Sequence, residues 1–273
     1  MNLGFYNIGE FCSSVRFRKV RSKVDLSAVT FVSPFALVYL GMYLRHHNSG
    51  GHSFTVVLPD TPAVRDYFAR QQFWQRFNFD SETISGERLR RLTTSTSLND
   101  IVDIEKDDHI GDDIGDKVRA VLISNRCNVS PNTVGVMVSE LVDNFAQHSG
   151  KNLAALALQY YPRLGALRLA IADCGMGIRT SLSANRKHRW LQGEAHHVAA
   201  MEALKAGVSR KFQGGTGFID VLNGVEELRG VLRLATGDEY ILVRRGRAVY
   251  GSMNYNLPGV QIEISFPAGR LYG

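Results

Sequence analysis

Glu140 and Asn144 are the first pair whose residue types and spacing could support chemistry. They stand four positions apart, so on a helix they would project from one face as neighbours. A carboxylate beside a carboxamide oxygen suits a hard cation such as Mg²⁺, which takes one or two protein oxygens and leaves its other positions to phosphates and water. The carboxylate could instead orient or deprotonate a nucleophile. The pair alone is equally typical of the polar edge of a helix.

Asp173 follows an apolar run, Leu167–Ala172, and precedes two spaced glycines, Gly175 and Gly177. An acceptor at the end of a strand suits a flat ring that carries an exocyclic amine, and the glycines would let the backbone approach that ring closely. The alternative is an ordinary strand that ends in a turn. The dinucleotide fingerprint is excluded because Arg179-Thr180 stands where that pattern requires its third glycine.

Gly214, Gly215, Thr216 and Gly217 form a glycine-rich turn before a predicted helix, with Lys211 shortly upstream. Free backbone amides and the positive end of a helix dipole bind phosphate well. No Gly-Lys-Ser/Thr follows, which excludes a P-loop. This segment by itself is also compatible with a flexible loop.

The first pair needs a helix to position it, and the chain around it carries helix signals. Ser130-Pro131 is typical of an N-cap followed by proline at the first helical position, and Gly150 is typical of a helix stop after about His148. Short turns at Gly237-Asp238 and Arg245-Gly246 predict that the later strands are antiparallel. The further predicted helices are Asp116–Asn125, Glu194–Ala206 and Phe218–Arg229, and the predicted strands are Leu153–Tyr160, Leu167–Ala172, Gly230–Ala235, Tyr240–Arg244, Ala248–Met253 and Val260–Ser265.

The chain before residue 100 alternates strand and helix patterns, which predicts a small α/β domain. Its predicted elements are a strand and turn at Val24–Val32, a helix at Phe35–His46 capped by Ser33-Pro34, a strand at Phe54–Leu58 and a helix at Pro62–Phe77. The acidic stretch Asp100–Asp116 is interpreted as a solvated junction between two domains, with a charged face inside one domain as the alternative.

Composition narrows the protein class. The 273 residues are 44% hydrophobic and 21% charged, which is typical of a globular protein. No apolar run approaches the roughly 20 residues of a membrane span. Three cysteines without a CxxC pair indicate reduced thiols and a cytoplasmic location. The net charge of +6 is mild and could favour anionic partners, but phosphate-handling proteins are often basic for that reason alone, so nucleic acid is not the expected partner.

The three segments together, in this order, resemble the nucleotide site of the GHKL superfamily, the histidine-kinase-like ATPases of the Bergerat fold. The resemblance covers roughly residues 116–266. It implies that Glu140 is the catalytic or water-orienting glutamate and that Asn144 is the Mg²⁺ ligand. The residues that it assigns to ATP are Asp173, Gly175, Gly177 and Thr236 around adenine and Gly214, Gly215, Thr216 and Gly217 around the phosphates.

The same resemblance identifies residues 181–213 with the variable ATP lid. The basic residues of this lid could reach the phosphates, or they could form a solvated loop; they are Arg186, Lys187, Arg189, Arg210 and Lys211. Phe218 stands where a leucine is common in the family, which affects lid packing rather than phosphate binding.

The segment from Val24 to Pro34 resembles the strand–helix corner of STAS domains. The phosphoacceptor positions of that family fall on Ser33–Ala36, where Pro34 and Phe35 replace hydroxyl residues, so phosphorylation is not expected. The predicted fold is therefore α+β: a Bergerat two-layer sandwich, with a mixed sheet and helices on one face, preceded by a small STAS-like α/β domain. The predicted boundaries are 1–105, an acidic junction at 106–116, and 117–273.

The function that this resemblance implies is binding of ATP and Mg²⁺ with slow hydrolysis, in which a mobile lid couples the nucleotide state to a protein partner. Two alternatives remain: an anti-sigma-type protein serine/threonine kinase, and a non-catalytic interaction module gated by ATP. A homodimer is compatible with each of them, and no membrane association is expected.

Overall fold

The structure is a computed structural model that describes residues 1–18, 21–77, 101–105, 110–150, 153–205 and 218–270. Its strands are β1 (Asn2–Leu3), β2 (Ser22–Asp25), β3 (Phe31–Val32), β4 (Phe54–Val57), β5 (Ile101–Glu105), β6 (Cys127–Asn128), β7 (Leu153–Tyr161), β8 (Ala166–Asp173), β9 (Val231–Arg244), β10 (Arg247–Pro267) and β11 (Gly269–Arg270). Its helices are α1 (Ile8–Ser14), α2 (Pro34–Ser49), α3 (Pro62–Arg70), α4 (Phe73–Arg76), α5 (Ile110–Ser124), α6 (Pro131–His148), α7 (Gly177–Ser183), a 3₁₀ helix (Arg186–Gly193), α8 (His196–Ala203) and α9 (Phe218–Glu227).

The central sheet has five strands in the order β5-β7-β8-β10-β9, and each neighbouring pair is antiparallel. The predicted α+β class is therefore confirmed, but the prediction of a mixed central sheet is wrong. Tight connections explain the difference, because β7 with β8 and β9 with β10 are joined by short turns that permit only antiparallel pairing. Parallel pairing occurs in two small separate pairs, β1 with β3 and β2 with β4.

The two faces of the sheet carry side chains of different size. Alternation along β7 and β8 sends four alanines, Ala155, Ala157, Ala170 and Ala172, to one side and the buried leucines and isoleucine, with Ala154, to the other. The alanine side belongs to the core that contains α2, and the leucine side belongs to the core that contains α5, α6 and α9. Small residues on one face leave room for the large aromatic side chains of α2, which are Phe35, Tyr39 and Tyr43.

Helix α2 is buried on all sides over its first eleven residues, Pro34–Leu44. It packs on β7, β8 and β10 of the central sheet, so helices cover both faces of that sheet. The predicted layering, with helices on one face, is therefore wrong. The reason is that the alanine face is apolar and needs a cover, which the N-terminal region supplies.

The N-terminal region and the central sheet share one hydrophobic core. Strand β5, assigned by the predicted boundaries to the first domain, is the edge strand beside β7. Residues 110–116 of the predicted acidic junction form the first half of α5. The division at 105 and 117 therefore cuts through elements that pack together, and the predicted junction at 106–109 lies outside the described residues.

Both predicted proline starts are confirmed. Ser33 Oγ accepts a hydrogen bond from the Ala36 N–H at 3.2 Å, and Ser130 Oγ accepts one from the Thr133 N–H at 3.2 Å. These caps satisfy donors that a helix N-terminus leaves free. The predicted helix at 62–77 is instead split into α3 and α4 by Gln72, whose φ is 49°.

Strands β9 and β10 form one long hairpin rather than four short strands. Arg245 and Gly246 make its turn with φ of 51° and 67°, as expected for a tight hairpin. Gly237, predicted as a turn between strands, lies inside β9 with a φ of 65°. The register of β10 against β9 shifts between Ser252 and Val260, which bends this part of the hairpin over the end of β8.

Among the described helices, none has the length and apolarity that crossing a membrane requires.

Candidate functional site

Asp173 ends β8 with a carboxylate that is only 6% exposed. The Gly175 N–H donates to its Oδ1 at 2.6 Å, and the Val260 N–H donates to its Oδ2 at 3.3 Å. Gln261 Nε2 donates to the backbone carbonyl of the same residue at 3.1 Å. Because a carboxylate has about four lone-pair positions, two backbone donors leave it able to accept from an amine.

Burial raises the pKa of Asp173 to about 7, although the N–H groups of Gly175 and Val260 oppose the shift. The carboxyl group therefore changes its charge close to neutral pH. A buried acceptor whose pKa is perturbed in this way is a common property of functional sites.

Thr236 lies across from the loop that follows Asp173 and is 1% exposed. Its Oγ1 accepts from the Ile178 N–H at 3.3 Å and donates to the Gly259 carbonyl at 3.0 Å. A side chain at Gly177, whose φ is 75°, would come within 3.1 Å of this hydroxyl. The structure thus brings together Asp173, Gly177 and Thr236, three of the residues that the sequence predicted around adenine.

Gly175 joins this group to the end of α6. The Met176 N–H donates to the Ser149 carbonyl at 2.9 Å, and a side chain at Gly175 would overlap the backbone of Ser149. A glycine is therefore required where the loop after β8 crosses the C-terminus of α6. The helix that carries Glu140 and Asn144 ends against the loop that carries Asp173.

Glu140 and Asn144 are half-buried on α6. Burial raises the pKa of Glu140, and the nearby carboxylates of Asp220, Asp143 and Asp112 raise it further. A raised pKa makes a carboxylate a stronger base. The Nδ2 atom of Asn144 is buried and has no hydrogen-bond partner within the described chain, so one end of this amide is left for a group outside the described residues.

The residues present fit Mg²⁺ carried by a phosphate ligand better than a metal held by protein alone. Within the described residues no cluster of three or more His, Cys, Asp or Glu side chains could hold a metal ion. Magnesium bound with a nucleotide needs only one or two protein oxygens. The Asn144 amide, whose oxygen and nitrogen can exchange places by a flip, could supply one.

The predicted phosphate-binding residues Lys211, Gly214, Gly215, Thr216 and Gly217 lie outside the described residues. The described part of the predicted lid, residues 181–205, contains the end of α7, the 3₁₀ helix and α8, and α8 confirms the helix predicted at Glu194–Ala206. His197 ties α8 to β9, because its backbone N–H and its Nδ1 both contact Glu239 Oε2, at 2.8 and 3.0 Å. The His197 ring also stacks on Tyr250, with ring centroids 3.9 Å apart.

Sequence reasoning missed the contribution of β10 to this site. Gly259 has a φ of 95°, and any side chain there would overlap the carbonyl and carboxylate of Asp173. The next two residues, Val260 and Gln261, supply two of the three hydrogen bonds to Asp173 described above. Pro258-Gly259 is a turn signal inside a strand, and it could have indicated a bulge of functional interest.

We compared the chain with protein-family models, with curated proteins and with solved structures, and none of the three comparisons produced a match.

Proposed function

We propose that the protein binds ATP with Mg²⁺ as a GHKL-type ATPase of the Bergerat fold. The observation that carries this proposal is the convergence of Asp173, Gly175, Gly177 and Thr236 beside the end of the helix that bears Glu140 and Asn144. Chain segments far apart in sequence supply these groups, and the motif resemblance assigns all of them to one nucleotide site.

Each described part of the site has one chemical task. Asp173 accepts the exocyclic amine of adenine, and the glycines let the backbone lie against the ring. Asn144 would offer an oxygen to Mg²⁺, and the ion would supply positive charge for the phosphates. Glu140 takes a proton from the attacking water or holds that water in line.

The coupling of nucleotide to a partner is the second part of the proposal. The helices α7 and α8 connect the adenine side of the site to residues 206–217, which include the predicted phosphate loop. His197 links α8 to β9 through its contacts with Glu239. A change in the bound phosphates that shifts α8 would therefore also affect β9, and β9 could transmit the nucleotide state to a partner. The STAS-like character of the N-terminal region belongs to the same proposal; its helix α2 packs directly on the strands that end at the site.

The test is calorimetric titration of the full chain with ATP and Mg²⁺. Asp173→Asn should weaken ATP binding by about tenfold or more, because loss of a charge-assisted hydrogen bond costs on the order of 1–3 kcal/mol. The exposed residue Asp60 provides a matched control, since Asp60→Asn should leave the affinity unchanged. Equal ATP affinities of all three proteins would show that Asp173 does not contact ATP. If the wild type did not bind ATP, the proposed function would be wrong.

The same preparation distinguishes the alternative outcomes. Release of inorganic phosphate indicates an ATPase, transfer of labelled terminal phosphate to a co-purified protein indicates a kinase, and tight binding with neither indicates an ATP-gated interaction module.

A further inference from the structure

Three arginines occupy positions where the backbone favours glycine. Five non-glycine residues in the described chain have a positive φ, and three of them are Arg126 (50°), Arg229 (52°) and Arg245 (51°). Arg126 and Arg229 follow the ends of α5 and α9, and Arg245 stands in the β9–β10 turn. A side chain in this left-handed region costs stability relative to glycine. Arginine there points to a role other than folding.

All three arginines line one continuous surface. Arg126 and Arg229 line a groove of about 640 Å³, and Arg229 and Arg245 line an adjoining groove of about 330 Å³. Among the described residues, none of the three side chains forms a hydrogen bond or ion pair. At the tip of the hairpin, Arg244 and Arg247 are direct cross-strand partners, an arrangement in which like charges repel. The surface therefore holds five arginines against two glutamates of the groove lining, Glu226 and Glu227, and its net charge is positive.

The floor of the larger groove is aliphatic. Leu228 and Pro267 line it, and Ile123 lies in it with 64% of its side chain exposed. An exposed apolar floor with a charged rim is typical of a surface that binds another molecule.

The lining favours a peptide over nucleic acid. No aromatic ring lines either groove within the described chain, whereas surfaces that bind single strands use rings on which bases stack. Glu226 and Glu227 also belong to the lining, and Glu227 accepts a hydrogen bond from the Thr133 hydroxyl at 2.9 Å. These carboxylates would repel a continuous phosphate backbone but would accommodate a peptide whose acidic residues are separated.

We infer that the joined grooves along Arg126, Arg229 and Arg245 bind an acidic, aliphatic peptide segment of a partner protein. Guanidinium groups bind carboxylates through paired, charge-assisted hydrogen bonds, and the aliphatic floor takes the apolar side chains between them. The inference rests on the proposed function in one respect: this peptide-binding partner is taken to be the protein whose binding is coupled to the nucleotide.

Helix α6 links this surface to the candidate nucleotide site without overlap. Ser130 and Pro131, at its start, line the larger groove, and its C-terminus contacts Gly175 and Met176. The helix has 18 residues, so about 27 Å separates the two places.

The experiment selects peptides from a displayed library of random dodecapeptides on the immobilised full chain without nucleotide. Counter-selection uses the triple variant Arg126→Gln/Arg229→Gln/Arg245→Gln. The enriched peptides should combine acidic and aliphatic residues. Fluorescence anisotropy with a synthesised enriched peptide should show at least about tenfold weaker binding to Arg229→Gln, because one charge-assisted pair is lost.

Arg70→Gln is the matched control, since Arg70 is an exposed arginine at the end of α3, outside both grooves. It should bind the peptide like the wild type, and the melting temperatures of all variants should agree. The inference would be overturned if no peptide were enriched, or if the enriched peptides were basic or aromatic. It would also be overturned if Arg70→Gln and Arg229→Gln lost peptide affinity equally, or if a labelled oligothymidylate bound more tightly than the peptide. Asp173→Asn should bind the peptide like the wild type. The proposal for the grooves and the proposal for the nucleotide site can therefore be contradicted independently.

Discussion

Asp173 combines two properties that are usually opposed, deep burial and a carboxylate that must be charged to accept from an amine. Two backbone N–H groups reduce the cost of burial, but the pKa still rises to about 7. We therefore expect the stability of the protein to depend on pH below neutrality and, if the proposed function holds, nucleotide binding to depend on pH near neutrality.

The first prediction concerns nucleotide affinity. If only the ionised carboxylate accepts the adenine amine, ATP should bind about tenfold more weakly at pH 6 than at pH 8, because a group with a pKa near 7 is mostly protonated at the lower value. Titrations across this range should show the dependence in the wild type. The ATP phosphates also titrate here, so Asp173→Asn is the control, and an identical profile in that variant would contradict the assignment.

The second prediction concerns stability, and its sign follows from proton counts. The folded pKa of Asp173 lies above the unfolded value near 4, so between about pH 4 and pH 7 the folded state holds more protons. The contribution of Asp173 to the free energy of unfolding should therefore fall as pH rises through this window and stay level above it. Urea denaturation at pH 5 and pH 7.5 should show a smaller fall for Asp173→Asn than for the wild type; an equal fall in both would contradict the raised pKa.

Glu140 leads to the third prediction. Replacing it by Gln keeps the shape but removes the base, so phosphate release should fall by roughly 10²–10⁴ while ATP binding is kept. The burial and the neighbouring acidic groups that raise its pKa favour this role. An unchanged rate in a phosphate-release assay would exclude Glu140 as the base or the water-orienting group.

At the scale of elements, the β9–β10 hairpin contributes to two surfaces. Near β8 its bulge brings Gly259 and Val260 onto Asp173, and at its tip the turn displays Arg245. The bulge needs glycine because the neighbouring backbone is too close for a side chain. The turn accepts arginine at an energetic cost, since a type I′ geometry favours Asn or Gly there.

The fourth prediction measures that cost. Arg245→Gly should raise the free energy of unfolding by about 0.5–1 kcal/mol, because the strain of a side chain at positive φ is removed and part of this gain is offset by chain entropy. Ala248→Gly in the same hairpin, where the backbone is an extended strand, should lower it by about 0.5–1 kcal/mol. Destabilisation by both changes in urea titrations would show that Arg245 stabilises the fold.

At the scale of the whole molecule, the alanine face of the sheet unites the N-terminal region with the rest. Helix α2 and strands β7 and β8 share one core, so we expect the two parts to lose their packing together. The candidate site also contacts this shared core. Cys174, next to Asp173, is buried in it and donates to the Met42 carbonyl of α2 at 3.4 Å.

The fifth prediction follows from the shared core. The chain has two tryptophans, Trp74 in the N-terminal core and Trp190 in the 3₁₀ helix with 51% exposure. In a Trp190→Phe variant, urea unfolding followed by Trp74 fluorescence should coincide with unfolding followed by far-UV circular dichroism, as in a two-state transition. Separate midpoints would indicate two independent domains.

Patterns of neighbouring residues determined the local structure. Ser33-Pro34 and Ser130-Pro131 specify helix starts through caps that involve only the next few residues, and the alternation in Leu153–Tyr161 specifies a strand with two different faces. Such features are predictable because short-range hydrogen bonds and side-chain period depend on local sequence alone. The grouping of Asp173, Gly175, Gly177 and Thr236 came instead from the resemblance to a known family, and their role around adenine stays a prediction.

Only the tertiary structure decided what the alanine face packs against and which distant groups meet. The sequence predicted a separate N-terminal domain and a mixed sheet, because periodicity shows that a face is apolar but not which element covers it. It likewise showed no link between Gly259 and Asp173, or between Arg126, Arg229 and Arg245. These residues are brought together by strand pairing and helix packing over long sequence separations, which depend on the shape and volume of the whole core.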